Sequence, residues 1–399
     1  MRIGYFISHF PYNRPGDETL SGRYTYGGAE KVAFSLAVKM AKSGHDVIVF
    51  TSSVDSKNSH ESHQPFEICR YGTVFRIARG NFSPLLLLGP LKYQIDIAHI
   101  HFTNPPGDLA GLLHGKTRKT PLIVTYHGDG VAEYGNLLRR MIVTFHNRYM
   151  VSEVLANARV IISPSNNYIN ESQFLPKYRE KIITIPNGID EDEYKAHCSK
   201  VACRVRLGLP TDEKVVLFVG NFVKYKGIDV LLRCMPEVAK IVPKVRLVMV
   251  GSGNIKQDLE KLARFLRIDK HVTFTGFVSE NRKILYYRSS DVFVLPSTMG
   301  PECFPTVILE AMACGLPIVA SNISGIPELV RHCENGFLIP PRNVGALSTS
   351  LIDLLTNEDL PTKMAKNSIR MVKRYSWENI VRKTEEVYRQ VLADRPSKI

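Results

Sequence analysis

Ser289-Ser290-Asp291-Val292-Phe293-Val294-Leu295-Pro296-Ser297-Thr298-Met299-Gly300-Pro301-Glu302-Cys303-Phe304-Pro305-Thr306-Val307-Ile308-Leu309-Glu310-Ala311-Met312-Ala313-Cys314-Gly315-Leu316-Pro317 reads as a strand, a loop and a short helix. Val292–Leu295 is an apolar, β-favouring run, and a helix is expected from about Pro305 to Ala313. Pro305 suits the first helical turn because its fixed φ fits and its missing N–H would have had no intrahelical partner. Gly315 and Pro317 then stop the helix. The free N–H groups of Thr306 and Val307 should face outward with the positive end of the helix dipole, an anion site suited to a phosphate. Glu302 precedes that end and Glu310 lies one turn beyond Thr306, so one carboxylate can accept hydrogen bonds from sugar hydroxyls and the other from ribose hydroxyls. Taken alone, the spacing fits equally well a buried strand-loop-helix unit whose acids face solvent or cap a helix.

On both sides of this stretch short β-rich runs alternate with helical patterns, the signature of parallel sheets built from strand-helix-strand units. In the second half strands are expected at Val215–Val219, Arg246–Val250, Val272–Thr275, Val292–Leu295, Ile318–Ala320 and Phe337–Ile339. The first half offers Ile3–Ser8, Val47–Thr51, Ile97–His101, Leu122–Tyr126, Val160–Ser163 and Ile182–Ile185. Between the first two of these, Glu30–Met40 sets Val32, Ala33, Leu36 and Met40 at helical spacing, with Gly44 as terminator. Pro186-Asn187-Gly188 closes the last strand with a turn. The expected organisation is an N-terminal domain at 1–190, a polar linker at 191–213, a C-terminal domain at 214–375, and a last helix at 376–399, capped by Ser376, that returns to the N-terminal domain. Both domains are expected to be α/β and doubly wound. Ligands in such sheets sit outside the carboxyl ends of the strands, which directs attention to the cleft between the domains.

A chain of 399 residues with 44% hydrophobic and 23% charged residues suits two ordinary globular domains. The opening Met1-Arg2-Ile3-Gly4-Tyr5-Phe6-Ile7 lacks the apolar region and cleavage site of a secretory leader. The longest apolar stretch, Pro84–Leu91, falls far short of the roughly 20 residues that span a bilayer. Seven cysteines without a Cys-x-x-Cys pair point to reduced thiols and a cytoplasmic setting. A net charge of +14, divided as +7 in residues 1–188 and +7 in the remainder, favours anionic partners: nucleotides, nucleic acids or anionic lipids.

Four further features carry chemistry or a candidate contact. In Val219-Gly220-Asn221-Phe222-Val223-Lys224-Tyr225-Lys226-Gly227, a strand runs into a helix. Gly220 permits close backbone approach, and Lys226 can place a charge on a diphosphate unless it is a plain surface lysine. Tyr26-Gly27-Gly28-Ala29-Glu30 enters a helix after the long loop His9–Thr25; its glycines either present N–H groups to a ligand or form a simple turn. His127 ends the Leu122–Tyr126 strand, while His99 and His101 end another. A metal held by these three is chemically admissible but not expected. Leu137–Tyr149 sets Leu138, Met141, Ile142, Phe145 and Tyr149 on one face, with Arg139, Arg140 and Arg148 elsewhere. Such a helix packs on its own core or lies on an anionic membrane, where Leu85–Leu88 could join it.

The chain resembles the retaining glycosyltransferases of family 4, which have the two-domain GT-B fold. The resemblance rests on Glu302-x₇-Glu310, on Ala311-Met312-Ala313-Cys314-Gly315-Leu316-Pro317, on Ile185-Pro186-Asn187-Gly188-Ile189-Asp190 and on Lys226-Gly227, and covers essentially the whole chain. It implies two Rossmann-like domains and transfer of a hexosyl group, mannosyl or glucosyl, from a nucleotide sugar to a glycan or lipid-linked acceptor, without a bound metal or other cofactor. By the resemblance Glu302 contacts the transferred hexose and Glu310 the ribose, while Phe304, Pro305, Thr306 and Val307 approach sugar and phosphates with their backbone. Gly27 and Gly28 line the cleft opposite the donor phosphates, His127 sits near the transferred sugar, and His9–Thr25 forms a lid or acceptor wall. Two positions depart from the family pattern. Pro305 stands where many relatives carry glycine and removes a backbone donor. Asn221 stands where relatives have an arginine, so charge-assisted bonds are lost and Lys226, with Lys224, carries more of the burden.

Three alternatives are compatible with the sequence. A GT-B epimerase or phosphorylase would share the fold, and a degenerate relative would bind donor without transferring it. A basic nucleic-acid-binding protein would account for the charge, but the chain has a single Trp and no recognition motif, and no nucleic acid partner is expected.

Overall fold

The computed structural model describes residues 1–12, 27–63, 66–77, 80–103, 105–130, 137–195, 198–300 and 302–394. The expected lid His9–Thr25 therefore lies, from residue 13 onward, outside the described residues. Contacts divide the chain into two units, Met1–Gly188 with Trp377–Ile399, and Ile189–Ser376.

In the first unit the sheet runs, edge to edge, Ile182–Thr184, Val160–Ser163, Leu122–Tyr126, Ile97–Phe102, Arg2–Phe6, Asp46–Ser52, Phe66–Tyr71 and Ser59–His63. All neighbours pair parallel except the last, which is antiparallel. The order reverses between Arg2–Phe6 and Ile97–Phe102, as in a doubly wound sheet. Its central strands are buried on both faces, which is why they read as nearly continuous apolar runs. One core gathers Val32, Ala33, Leu36, Ala37 and Met40 of the Gly28–Lys42 helix with Trp377, Ile380, Val381, Val387, Tyr388 and Val391 of the Trp377–Ala393 helix. Gly188 is needed at the chain's return, since a Cβ there would stand 2.5 Å from the Trp377 ring.

Two strands of this sheet escape the sequence reading. Ser59–His63 is wholly polar and mostly exposed, and such a charged or polar edge strand blunts edge-to-edge pairing. Phe66–Tyr71 contains Arg70, whose letter argues against burial although its side chain is fully buried. The guanidinium donates to Glu61 (2.6 Å) and to the carbonyls of Phe10 (2.9 Å) and Pro11 (2.6 Å), so the buried charge is paired. A separate hairpin, Phe75–Ile77 with Gly80–Phe82, is also absent from the sequence reading.

The second unit has the strand order Val272–Gly276, Val245–Val250, Lys214–Val219, Val292–Leu295, Ile318–Ser321 and Gly336–Ile339, all parallel. Its order reverses between Lys214–Val219 and Val292–Leu295, so the two loops that leave those strands, beginning at Gly220 and at Pro296, flank the switch point where such folds hold ligands. The expected linker at 191–213 needs correction: it is part of this unit. A turn at Glu191–Tyr194 buries Tyr194, and the Lys200–Leu207 helix sends Arg204 to Asp291 at 2.7 Å and to the carbonyls of Ser289, Thr211 and Glu213. Polar composition here reflects a helix tied down by one arginine rather than a free connection.

Candidate active site

Around the second unit's switch point the backbone is packed closely. Gly220 has φ +157°, and its carbonyl lies 2.0 Å from where a Cβ on Gly251 would be. Gly227, at φ +64°, sits under the carbonyl of Pro296 with the same 2.0 Å clearance. Only glycine fits there, because the left-handed backbone and the missing side chain are both used. Thr298 N–H donates to the Tyr225 carbonyl (2.7 Å), Gly325 N–H to that of Glu302 (3.1 Å) and Ser324 Oγ to that of Gly300 (2.8 Å). The loop bearing Glu302 is thus clamped from two sides.

Those clamps bring Lys226 and Glu302 together. Lys226 Nζ lies 2.5 Å from Glu302 Oε1, with side chains only 12% and 4% exposed. Ser297 Oγ donates to the same oxygen at 2.7 Å. Desolvation opposes a charged lysine here, but the Glu302 carboxylate outweighs it and the Lys226 pKa is raised; the ammonium is fully charged at neutral pH.

Thr306–Ala313 forms the helix of the opening stretch. Pro305 does not occupy its first turn as expected: with φ −69° and ψ 112° it is the extended residue just before it. Ile308 N–H returns to the Pro305 carbonyl (3.1 Å), whereas Thr306 and Val307, both half-buried, have no intrahelical acceptor for their N–H groups. Phe304 is buried against Tyr375, and Asn221 is exposed.

Glu310 is buried and held by residues that the sequence reading did not single out. Lys283 Nζ lies 3.1 Å from Oε1 and 3.0 Å from Oε2, and Tyr287 Oη donates to Oε2 at 2.9 Å. Lys283 and Tyr287 stand four apart on the Glu280–Ser289 helix and so share a face. That spacing was the available signal. Lys283 also pairs with Glu280 at 2.9 Å.

Gly27, Gly28 and His127 belong to the first unit. Gly27 N–H does not stand free for a ligand as expected, because the Glu30 carboxylate takes it at 2.9 Å. Gly28 opens the Gly28–Lys42 helix. His127 follows its strand directly, and its Nε2 lies 3.2 Å from His101 Nδ1 with the two rings stacked. Beyond it the chain is fixed by Asp129, which accepts from Tyr126 Oη (2.7 Å), Ser172 Oγ (2.7 Å) and Gln173 N–H (2.8 Å). Among the described residues no group of three or more His, Cys, Asp or Glu side chains is arranged to hold a metal ion.

Burial keeps the histidines neutral. Desolvation pushes the His127 pKa down to about 4 and that of His99 to about 3, the latter helped by repulsion from His127. Free imidazole titrates near 6.5, so between that pH and the folded values the unfolded chain binds more protons than the native one. Stability is therefore present above about pH 6.5 and lost as the pH falls through this window. Urea midpoints should drop between pH 7.5 and pH 5, and the drop should be smaller in His99→Gln. Equal drops in both proteins would reject this origin.

Comparison with known proteins identifies the family. The sequence profile described as Glycosyltransferase Family 4 matches residues 26–193, and that described as Glycosyl transferases group 1 matches residues 201–371. An uncharacterized glycosyltransferase of Methanocaldococcus jannaschii is 29% identical over 376 residues, which cover 91% of this chain and 94% of that protein. The O-antigen chain mannosyltransferase C of Escherichia coli is 28% identical over 350 residues, 87% of this chain and 89% of the relative. Among solved structures, sucrose-phosphate synthase from Thermosynechococcus elongatus superposes with a TM-score of 0.78 at 26% identity, covering 99% of this chain and 100% of that one. No helix among the described residues is long and apolar enough to cross a membrane. With two doubly wound parallel sheets and both halves matched, the chain belongs to the family 4 glycosyltransferases and is a hexosyltransferase of the GT-B fold.

Proposed function

We propose that this enzyme takes a mannosyl or glucosyl group from a nucleotide sugar and passes it, with retention of anomeric configuration and without a metal, to a glycan or lipid-linked acceptor. The observation that carries the reading is the buried Lys226–Glu302 ion pair, braced by Ser297 and followed within a few residues by the N–H groups of Thr306 and Val307, which have no intrahelical acceptor at the start of the Thr306–Ala313 helix. A nucleotide sugar presents to such a site a diphosphate for the cation and the helix terminus, and hydroxyl groups for the carboxylate. As the diphosphate departs and negative charge grows on its oxygens, Lys226 and the helix terminus stabilise it in surroundings that need no reorganisation. Glu310, Gly220 and Asn221 serve the nucleoside side, and His127 supplies a hydrogen bond to the hexose. The mannosyl preference draws support from the Escherichia coli relative.

The test is a thermal-shift screen with a panel of nucleotide sugars, since a bound donor raises apparent stability by mass action, followed by anomeric analysis of the product by NMR. A donor that stabilises the protein and yields a product of the same anomeric configuration is expected. Inversion, or interconversion of the donor in the absence of acceptor as an epimerase would produce, would overturn the reading.

A lipid-facing role draws on a specific feature of the first unit. Leu137, Met141, Phe145 and Tyr149, spaced by four along one helical segment, are 71%, 61%, 58% and 52% exposed. Arg140 and Arg148 lie on the same segment. Apolar side chains beside cations suit an anionic bilayer surface and would place the enzyme peripherally on the cytoplasmic face. Sedimentation with vesicles containing about 30% anionic lipid should fall severalfold for Met141→Glu/Phe145→Glu. Equal sedimentation of the wild type with neutral and anionic vesicles would reject the electrostatic part.

A further inference from the structure

His127 ends a row of packed aromatic side chains in the first unit. His99 and His101 project from one face of Ile97–Phe102, and Thr125 lies opposite His101 in the parallel register with Leu122–Tyr126. His99 is satisfied on both sides, by Tyr388 Oη at 2.5 Å from Nδ1 and by Thr125 Oγ1 at 2.7 Å from Nε2. Tyr5 Oη lies 3.3 Å from Tyr388 Oη, and the Tyr5 ring meets both histidines edge-on. His101 stacks on His99 with centroids 4.6 Å apart and reaches His127 through Nδ1. Its Nε2 is enclosed and has no partner among the described residues.

A neutral imidazole carries one N–H and one bare nitrogen, so the contact between His101 and His127 can be made in only two ways. In one, His127 Nε2–H donates to His101 Nδ1. His101 must then carry its proton on Nε2, burying an N–H with no acceptor. In the other, His101 Nδ1–H donates to His127 Nε2. The atom left without a partner is then a bare nitrogen, and the His127 proton resides on Nδ1. Orphaned buried N–H groups are the rarer and costlier defect, so the second arrangement prevails. His127 is only partly buried, and its Nδ1 makes no hydrogen bond among the described residues. The ring nitrogen left for a ligand is therefore a donor.

We propose that His101 is a positioning residue that locks His127 in the Nδ1–H tautomer, so that His127 meets the sugar as a hydrogen-bond donor to a hydroxyl oxygen and not as a base. The clause about the sugar rests on the role proposed above for His127; the tautomer does not. Burial, which holds both rings well below their usual pKa, keeps the pair neutral at working pH.

The experiment uses the full chain labelled with ring-¹⁵N histidine, with His127→Gln to assign the His127 signals. In the wild type at pH 7.5, without donor, two-bond ¹H–¹⁵N correlation should show His127 with a protonated Nδ1 and a bare Nε2. In His101→Leu the His127 pattern should move towards a protonated Nε2. His101→Asn, whose amide N–H can stand near the original Nδ1–H, should restore the wild-type pattern. Turnover per donor bound should fall roughly tenfold in His101→Leu, the order expected for one hydrogen bond, and recover in His101→Asn. A protonated Nε2 on wild-type His127 overturns the proposal even if neither variant folds. The expected tautomer combined with unchanged turnover in His127→Gln would overturn the clause about the sugar and leave the lock standing.

Discussion

Lys226→Ala is expected to lower turnover at saturating donor on the order of 10²- to 10³-fold, the range seen when one preorganised electrostatic group is removed from a site of developing negative charge. The size follows from placement. The ammonium is nearly enclosed, and its charge is held by a carboxylate 2.5 Å away, so solvent screens it little. The same substitution strands Glu302, and breaking a buried pair from one side typically costs about 3–5 kcal/mol. Lost stability could then imitate lost chemistry. Lys226→Met/Glu302→Gln separates the two, because it removes both charges while Ser297 can still bond the amide. That double variant should regain most of the stability and none of the turnover. Unchanged turnover of purified Lys226→Ala at saturating donor would remove Lys226 from the mechanism.

Glu310→Ala should act on binding rather than turnover. A carboxylate accepting hydrogen bonds from a ribose contributes about 1.5–3 kcal/mol, so affinity for the nucleoside diphosphate, read by calorimetry, should fall by about 10- to 150-fold, with turnover at saturating donor changed far less. Stability should be less affected than in Lys226→Ala, because Lys283 keeps its pairing with Glu280 at 2.9 Å. Lys283→Met provides the complementary case: Glu310 retains Tyr287 but loses the cation that fixes its orientation. Weaker nucleotide binding there would identify Lys283 as a support for Glu310. Undiminished affinity in Glu310→Ala would reject the ribose assignment.

The sequence displayed most of the parallel strands because both faces of those strands are covered, and the pattern is then apolar from end to end. Val215–Val219 and Val292–Leu295 could hardly be read otherwise. Legibility failed where tertiary contacts override local character. Arg70 looks like a surface residue until Glu61 and two carbonyls close around it, and Ser59–His63 has no apolar face because its side chains are mostly exposed. At the site, the positions of Glu302, Glu310 and Lys226 could be read as a motif, but their partners could not. Lys283 and Tyr287 come from a separate helix whose charges look solvated, and Ser297 is an ordinary loop serine until the chain folds it onto Glu302. Helix polarity gave the direction of the Thr306–Ala313 terminus, yet Pro305 stands one residue outside it because its ψ is extended. The glycine pair at 27 and 28 suggested open N–H groups, but Glu30, one turn on, closes the first of them.

The contact between Lys226 and Glu302 has a further consequence for what can occupy the site. The protein supplies its own counter-ion, tethered at a local concentration that a dissolved anion does not match. Phosphate or sulfate must compete with that carboxylate for the ammonium and is repelled by it. A ligand that brings an anion and hydroxyl groups together compensates both partners at once, so the pair is expected to resist exchange with small inorganic anions and to yield to such a composite molecule.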